Sequence, residues 1–208
     1  QLLSLSFSAF QMGMGTGMGM GMGMMASPAL PLGQEFPVMR VRVARRGSAN
    51  FRMPARLSTP GFHRIEEAAN RANPRTIPLG FMRMQWLLNN REFDLADVAP
   101  NEVVKAGSLN IWEFQNRGMG MMQMAHPMHI HGGQFQVLSR SLAPNYEATR
   151  RTLSAGFTDE GWKDVVLVWP GETVRLLVPA APFPGLYLYH CHILDHEDAG
   201  MMRNFRIV

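Results

Sequence analysis

The sequence predicts an all-β fold built as a β-sandwich. From residue 81 onward, most of the chain divides into short segments rich in apolar, aromatic and β-branched residues, as expected of strands. Turn-forming residues such as Pro170-Gly171 separate these segments, and no long stretch has the apolar spacing of a helix. Short strands at this spacing, without a long helix between them, favour a sandwich over a mixed fold.

The first third of the chain is less regular than the rest. Residues 1–10 have the pattern of a strand that ends a preceding domain, and residues 11–25 form a low-complexity Met/Gly segment. Glycine recurs there at almost every second position, and its backbone freedom predicts a flexible loop. Residues 37–43 have the pattern of a strand, and residues 44–62 have that of a linker.

The remaining elements follow in order along the chain. Residues 64–71 predict a short helix that ends before Asn73-Pro74. The segments with strand character are 81–87, 108–114, 134–138, 162–169, 172–178, 186–192 and 204–208. The predicted organisation is 1–36 as the end of a preceding domain, 37–74 as a linking strand and connector, and 75–208 as a C-terminal domain.

The charge of the chain has two interpretations. Its formal net charge is +4, and arginines cluster between residues 40 and 56. Such a cluster could form a nucleic-acid patch, or it could be the solvated face of a strand in which arginines alternate with apolar residues. We favour the strand face, because aromatic residues are sparse there and no nucleic-acid motif is present. The hydrophobic content of 46% is enough for a packed core, and no apolar run is long enough to span a bilayer.

Six of the seven histidines and the only cysteine lie in two short stretches. One is His-Pro-Met-His-Ile-His-Gly at 126–132, and the other runs from His190 to Met201. Histidine is the commonest metal-binding side chain, and thiolate and thioether sulfur select copper. His63 lies outside both stretches, at the start of the predicted helix, where a surface or capping role is expected.

Strand periodicity divides these side chains into two sets, because successive residues of a strand point to opposite faces. His190 and His192 share one face, and Cys191 points to the other. In the first stretch, His129 and His131 share a face, and we expect His126 to turn to the opposite side across Pro127.

One set has the composition of a blue-copper site, which takes one cysteine, two histidines and a weak axial methionine. Its members are His126, Cys191, His196 and Met201. The other set forms an all-imidazole site, and its members are His129, His131, His190 and His192.

These two stretches resemble the C-terminal copper motifs of the multicopper oxidases, which include laccases, bilirubin oxidases and cuprous oxidases. Both motifs match in full and in the family's order, and Gly161-Trp162-Lys163-Asp164 between them resembles the bacterial members. The resemblance covers roughly residues 75–208. It implies a Greek-key cupredoxin β-sandwich, with the N-terminal strand and Met/Gly-rich loop belonging to a preceding cupredoxin domain.

The resemblance also assigns copper ligands by position. The implied type 1 ligands are His126, Cys191, His196 and Met201. The implied type 2 ligand is His129, and the implied type 3 ligands are His131, His190 and His192. The family needs four more histidines from N-terminal cupredoxin domains, and His63 cannot stand in for them. We therefore expect those domains on the same precursor or on another chain.

The implied function is that of the C-terminal part of a laccase-like oxidase. Single electrons from a phenol-like, bilirubin-like or Cu(I) substrate would enter through the edge of His126 at a type 1 copper. They would pass through Cys191 to His190 and His192, at a trinuclear copper cluster that reduces O₂ to water. The resemblance places Glu197 in the proton path and implies a periplasmic or extracellular location. We also expect Asp164 to orient a ligand histidine.

Two alternatives stay open at this stage. The chain could instead be a stand-alone blue-copper electron-transfer or copper-binding module, although such a module has no use for the four histidines of the second set. The seven methionines of residues 11–25 could be a tolerated insertion, or they could capture Cu(I) through soft sulfur. A second cluster could fill the core or belong to a mobile loop, or it could line the approach to the type 1 copper with sulfur. Its members are Met119, Met121, Met122 and Met124.

Overall fold

The computed structural model describes residues 2–6, 34–45, 47, 52–59, 61–118, 123–153 and 157–208. Two five-stranded sheets dominate this part of the chain. The first contains β3 (Arg75–Met82), β4 (Gln85–Leu88), β6 (Leu109–Asn116), β8 (Gln136–Leu142) and β10 (Glu172–Pro179), in the order β4-β3-β6-β10-β8. The second contains β5 (Val103–Val104), β7 (His126–Ile130), β9 (Val165–Val168), β11 (Gly185–Cys191) and β12 (Met202–Ile207), in the order β5-β12-β11-β7-β9.

The other elements are short. Strands β1 (Leu2–Ser4) and β2 (Phe36–Met39) pair with each other in a separate two-stranded sheet. The helices α1 (Glu147–Arg151) and α2 (Leu194–Asp198) have five residues each, and single 3₁₀ turns lie at Ile65–Glu67, Pro100–Glu102 and Pro144–Tyr146. Together with the two large sheets, these elements confirm the predicted all-β sandwich.

The core lies between the two large sheets, where their apolar faces meet. Trp112 of β6 packs edge-on against Tyr189 of β11 and Phe205 of β12, with 5.4 Å between ring centroids in both cases. Burying a large apolar side chain stabilises a fold by about 1.5–3 kcal/mol. Cys191 and Met201 belong to the same buried cluster, so part of the predicted blue-copper set is built into the core.

Three predicted elements differ in the structure. The segment 81–87, predicted as one strand, is a β-hairpin. Arg83 and Met84, with φ values of 52° and 66°, form the turn between the end of β3 and the start of β4. Two positive φ values suit a tight hairpin turn, but neither residue is the glycine or asparagine that usually signals one. The predicted strand 37–43 ends at Met39, where its pairing with Leu2 of β1 ends.

The predicted helix at 64–71 is a single 3₁₀ turn, Ile65–Glu67. The chain leaves the turn because its next groups bond to β6. The N–H of Ala69 donates to the carbonyl of Leu109, and the amide of Asn70 forms two hydrogen bonds with the backbone of Ile111, at 2.7 and 2.9 Å. The bond from Ala69 takes a backbone N–H that a continuing helix would have used, and the side-chain amide of Asn70 holds the chain against β6.

Candidate copper centres

The two motif stretches lie on neighbouring antiparallel strands. In the register of β11 with β7, His190 lies opposite His129, and Cys191 lies opposite Met128. Directly opposed residues of paired strands point to the same face of a sheet. The imidazoles of His129 and His190 therefore share one face, while the sulfurs of Met128 and Cys191 share the core face, as strand periodicity predicts.

His126 reaches the core face by a simpler route than a turn at Pro127. Strand β7 runs straight through Pro127, which pairs with Leu167 of β9. His126 and His129 are three residues apart, so ordinary alternation places their side chains on opposite faces. The carbonyl of Pro127 accepts a hydrogen bond from the N–H of His192 at 2.7 Å, which fixes the end of β11 against β7.

The first candidate centre consists of His126, Cys191 and His196. The Sγ atom of Cys191 lies 3.6 Å from Nδ1 of His126 and 3.5 Å from Nδ1 of His196. All three ligand atoms lie within 4.8 Å of one another, and all three residues are buried. A thiol and two imidazole nitrogens converging in an apolar surrounding form a donor set that fits copper.

Helix α2 carries His196, and the turn after the helix brings Met201 to this centre. Gly200 has a φ of +85°, the left-handed conformation that commonly ends a helix. The N–H of Met201 donates to the carbonyl of His196 at 2.8 Å, and the N–H of Cys191 donates to the carbonyl of Met201 at 3.0 Å. Met201 is fully buried in the core cluster that includes Cys191. Backbone bonds thus link this predicted axial ligand to two members of the centre.

Burial sets the protonation of this centre. Desolvation raises the pKa of the Cys191 thiol to about 11. Desolvation, with a smaller contribution from the neighbouring His196, lowers the pKa of His126 to about 3. The pKa of His196 is also lowered by burial. At neutral pH the centre therefore consists of a protonated thiol and neutral imidazoles, and a copper ion must displace the thiol proton to bind.

This protonation state predicts how copper affinity depends on pH. Only Cys191 loses a proton on binding above about pH 7, so the affinity should rise about tenfold per pH unit from there to about pH 9. The measurement is a competition titration against a chelator of known affinity, followed by the thiolate-to-copper absorption. A Cys191→Ala variant, followed by its residual copper binding, should lose this slope. A pH-independent affinity in the unaltered chain would show that no thiol proton is released.

The second candidate centre lies on the other face of the same strands. The ligand atoms of His129, His131 and His190 lie within 4.8 Å of one another, and Nε2 of His131 is 3.1 Å from Nε2 of His190. His192 is exposed on this face, with its ring centroid 5.5 Å from that of His190, but it is not in the converging group among the described residues. Burial, with the charges of His129 and His190, lowers the pKa of His131, so this ring is neutral at pH 7.

Outer contacts orient two of these rings. Nδ1 of His129 lies 2.6 Å from the backbone carbonyl of Asp164, and Nδ1 of His190 lies 3.0 Å from the carbonyl of Cys191. A carbonyl oxygen only accepts, so both Nδ1 atoms carry the proton and both Nε2 atoms are free to bind a metal. Asp164 thus orients a ligand ring as expected, but through its backbone rather than its carboxylate.

Glu197 lies beside the second centre. Its Oε2 atom is 3.4 Å from Nδ1 of His190, and its side chain is 29% exposed. The carboxylate therefore touches both solvent and a ring of the imidazole group. His63 lies on the surface, where its N–H donates to the side chain of Gln136, and neither group of converging ligand atoms includes it.

Sequence reasoning missed Trp86, which contacts the first centre from β4. Its indole lies 4.0 Å from the ring of His196 and 5.5 Å from the ring of His126. Nothing in its apolar surroundings in the sequence marks it as more than a core residue. Of the methionines singled out in the sequence, Met124 packs against the core. Residues 11–25 and Met119, Met121 and Met122 lie outside the described residues.

The chain is similar to known proteins over most of its length. A family model described as multicopper oxidase matches residues 64–208. The bilirubin oxidase of Albifimbria verrucaria is 39% identical over 134 residues, which are 64% of this chain and 22% of that protein. A laccase of Bacillus subtilis (strain 168) is 33% identical over 144 residues, which are 63% of this chain and 27% of that protein.

A solved multicopper oxidase structure is also similar to this chain. The McoA multicopper oxidase from the hyperthermophile Aquifex aeolicus matches with a TM-score of 0.66 and 37% identity, over 84% of this chain and 37% of that one. The chain therefore belongs to the multicopper oxidase family, and its sandwich is the predicted cupredoxin fold. It spans only 22% to 37% of the length of these three proteins. Within the described residues, no helix has the length and apolar content needed to cross a bilayer.

Proposed function

We propose that this chain is the C-terminal part of a laccase-like multicopper oxidase with O₂ as the acceptor. The observation that carries the proposal is the placement of two ligand groups on opposite faces of β11, with Cys191 in one and His190 in the other. Copper would supply the redox chemistry, accepting single electrons at the type 1 site and reducing O₂ to water at a trinuclear site.

The residues of this chain have distinct roles in the proposal. His126, Cys191, His196 and Met201 hold the type 1 copper, with Met201 as the weak axial ligand. His129 contributes to the type 2 site, and His131, His190 and His192 contribute to the binuclear type 3 site. This assignment is supported by the two converging groups and by the exposure of His131 and His192 on the side where further ligands must approach.

The strand itself connects the two sites. Cys191, the last residue of β11, is covalently joined to His190 and His192, so the backbone of residues 190–192 offers two short routes for an electron. At the first candidate centre, His126 lines an open pocket of about 360 Å³, which gives a reducing substrate access to the edge of a type 1 ligand. Glu197 is placed to pass protons between solvent and the imidazole group, because its carboxylate touches both.

The second site needs partners that bring four more histidines. We propose that these belong to N-terminal cupredoxin domains, on the same precursor or another chain, and that residues 1–36 end such a domain. Residues 37–74 then form the linking segment before the domain of residues 75–208. The exposed Leu2, Leu3 and Val38 of the separate β1–β2 sheet support its packing against another domain, and β2 runs across the proposed boundary at residue 36. The substrate is phenol-like, bilirubin-like or Cu(I), and the location is periplasmic or extracellular, as in the family.

A stand-alone blue-copper electron-transfer module is the second candidate, because the ligands His126, Cys191 and His196 all lie within this chain. Copper content separates the two functions. An oxidase assembled with its N-terminal domains should bind about four coppers per unit and consume O₂, whereas a module should bind about one. His131→Ala and His192→Ala should abolish O₂ uptake by the assembled unit and keep the blue absorption. Unchanged O₂ uptake in both variants would refute the oxidase.

A further inference from the structure

Trp86 lies between the first candidate centre and the open pocket. The indole is 92% buried, in β4, and its plane is tilted by only 32° from the imidazole of His196 at a centroid distance of 4.0 Å. It meets His126 edge-on at 5.5 Å, with 74° between the planes. Phe81 contacts the indole at 4.6 Å. One side chain therefore contacts both imidazoles of the centre and is itself held by an aromatic neighbour.

The same side chain forms part of the pocket wall. The pocket of about 360 Å³ is lined by Phe81, Trp86 and His126, together with apolar residues of β3 and β4. Its polar lining includes Asn90, Asn116 and Arg117, and Arg117 is the charged residue among the described lining residues. Asn116 is already engaged, since its amide donates to the carbonyls of Met124 and Val168. An aromatic wall with a cation at the margin suits a planar, neutral or anionic donor.

We propose that Trp86 is a positioning and specificity-determining residue: it fixes the imidazole planes of His196 and His126, and its exposed edge, beside Phe81, forms the part of the pocket wall that a phenolic donor contacts. This inference rests on the proposed function. Aromatic pairs contribute attraction beyond the area they bury. The contacts of the indole with His196 and His126 therefore depend on its aromatic ring and not only on its volume. A copper held by His126, Cys191 and His196 would accept one electron from the donor, and the donor's hydroxyl proton would go to water.

The test compares donors in anaerobic stopped-flow bleaching of the blue absorption of the copper-loaded chain. Hydroquinone can pack against the aromatic wall and ferrocyanide cannot. A change in the type 1 reduction potential alters both rate constants in the same direction, so their ratio reports mainly on the wall. Trp86→Leu should lower the hydroquinone-to-ferrocyanide ratio about tenfold, and Trp86→Phe should keep it within about threefold. Trp162→Leu is the matched control, because that indole packs against Phe62 and His63 instead, and its ratio should not change.

The blue band reports the positioning role separately. Trp86→Leu, and Trp86→Met with its unbranched and more flexible side chain, should shift the band and the type 1 reduction potential, while Trp86→Phe should retain both. Loss of the band in both variants, with an unchanged far-ultraviolet circular dichroism spectrum, would also support positioning. An unchanged ratio and an unchanged band in Trp86→Leu would overturn the inference. If the unaltered chain binds copper without a blue band, the proposed function fails instead.

Discussion

Replacing Cys191 with serine should remove the intense blue absorption of the copper-loaded chain completely and lower its copper content by about one ion per chain. A hydroxyl of this residue cannot supply the thiolate that produces the absorption. The side chain is fully buried between Nδ1 of His126 and Nδ1 of His196, and it is the only cysteine in the sequence, so no other thiol can replace it. Optical spectra and elemental analysis of the two proteins measure the effect.

The control for this substitution is His131→Ala, on the opposite face of the same sheet. Its ring belongs to the second group, so the blue absorption should persist at the intensity of the unaltered chain. Electron delivery to an assembled oxidase should stop in Cys191→Ser, since the route from the pocket to His190 and His192 starts at this residue. A serine variant that keeps the blue band would remove Cys191 from the ligand set.

The second large effect concerns stability. Glu102→Gln should lower the free energy of unfolding by about 3–5 kcal/mol, because it removes the buried charge partner of a buried arginine, whose other partner, Asp97, is 36% exposed. Glu102 and Arg203 are both fully buried, and their side chains form a two-bond pair at 3.0 and 2.7 Å. The hydroxyl of Tyr189, the residue immediately before His190, donates a hydrogen bond to the same carboxylate at 2.6 Å. Urea unfolding followed by tryptophan fluorescence gives the change.

A matched glutamate on the other sheet provides the control. Glu113 pairs with Arg175, whose side chain is 42% exposed. Exposed pairs contribute little, so Glu113→Gln should cost about 1 kcal/mol or less. Equal losses in the two variants would show that burial of the Glu102 pair does not determine its contribution.

The contribution of the Glu102–Arg203 pair to folding stability depends on pH with a definite sign. Burial alone would raise the pKa of Glu102, but hydrogen bonds from Arg203, Tyr189 and the N–H of Ala99 outweigh it and hold the pKa below its ordinary value of 4.5. A carboxyl whose pKa is lowered by folding stabilises the fold above its unfolded pKa, and this stability is lost as the pH falls through the folded value. The unaltered chain should therefore lose more stability below about pH 4.5 than Glu102→Gln does.

The separation of the two ligand sets could be predicted because it follows from parity. Residues one apart on a strand face opposite sides, so Cys191 had to face away from His190 and His192 in any strand that contains them. The same rule accounts for His126 without the turn that we expected at Pro127. The β-sandwich was equally accessible, since most of its strands carry β-branched and aromatic residues between clear turn signals.

Contacts between residues distant in sequence were not predictable in this way. The stack of Trp86 on His196 joins residues far apart in the chain, and the buried pair of Glu102 and Arg203 joins a 3₁₀ turn to β12. The hairpin turn at Arg83 and Met84 was missed because both residues adopt positive φ without the usual glycine or asparagine. In each case the tertiary environment, rather than local propensity, determines the conformation.

The central claim is that one strand presents a thiolate to one metal site and its neighbouring imidazoles to another. Anomalous diffraction at the copper edge, on crystals of the copper-loaded chain assembled with the domains that complete the second site, tests this most directly. We expect one copper among His126, Cys191 and His196, and a separate copper beside His129, His131 and His190. A single copper bound by both Cys191 and His190 would contradict the claim.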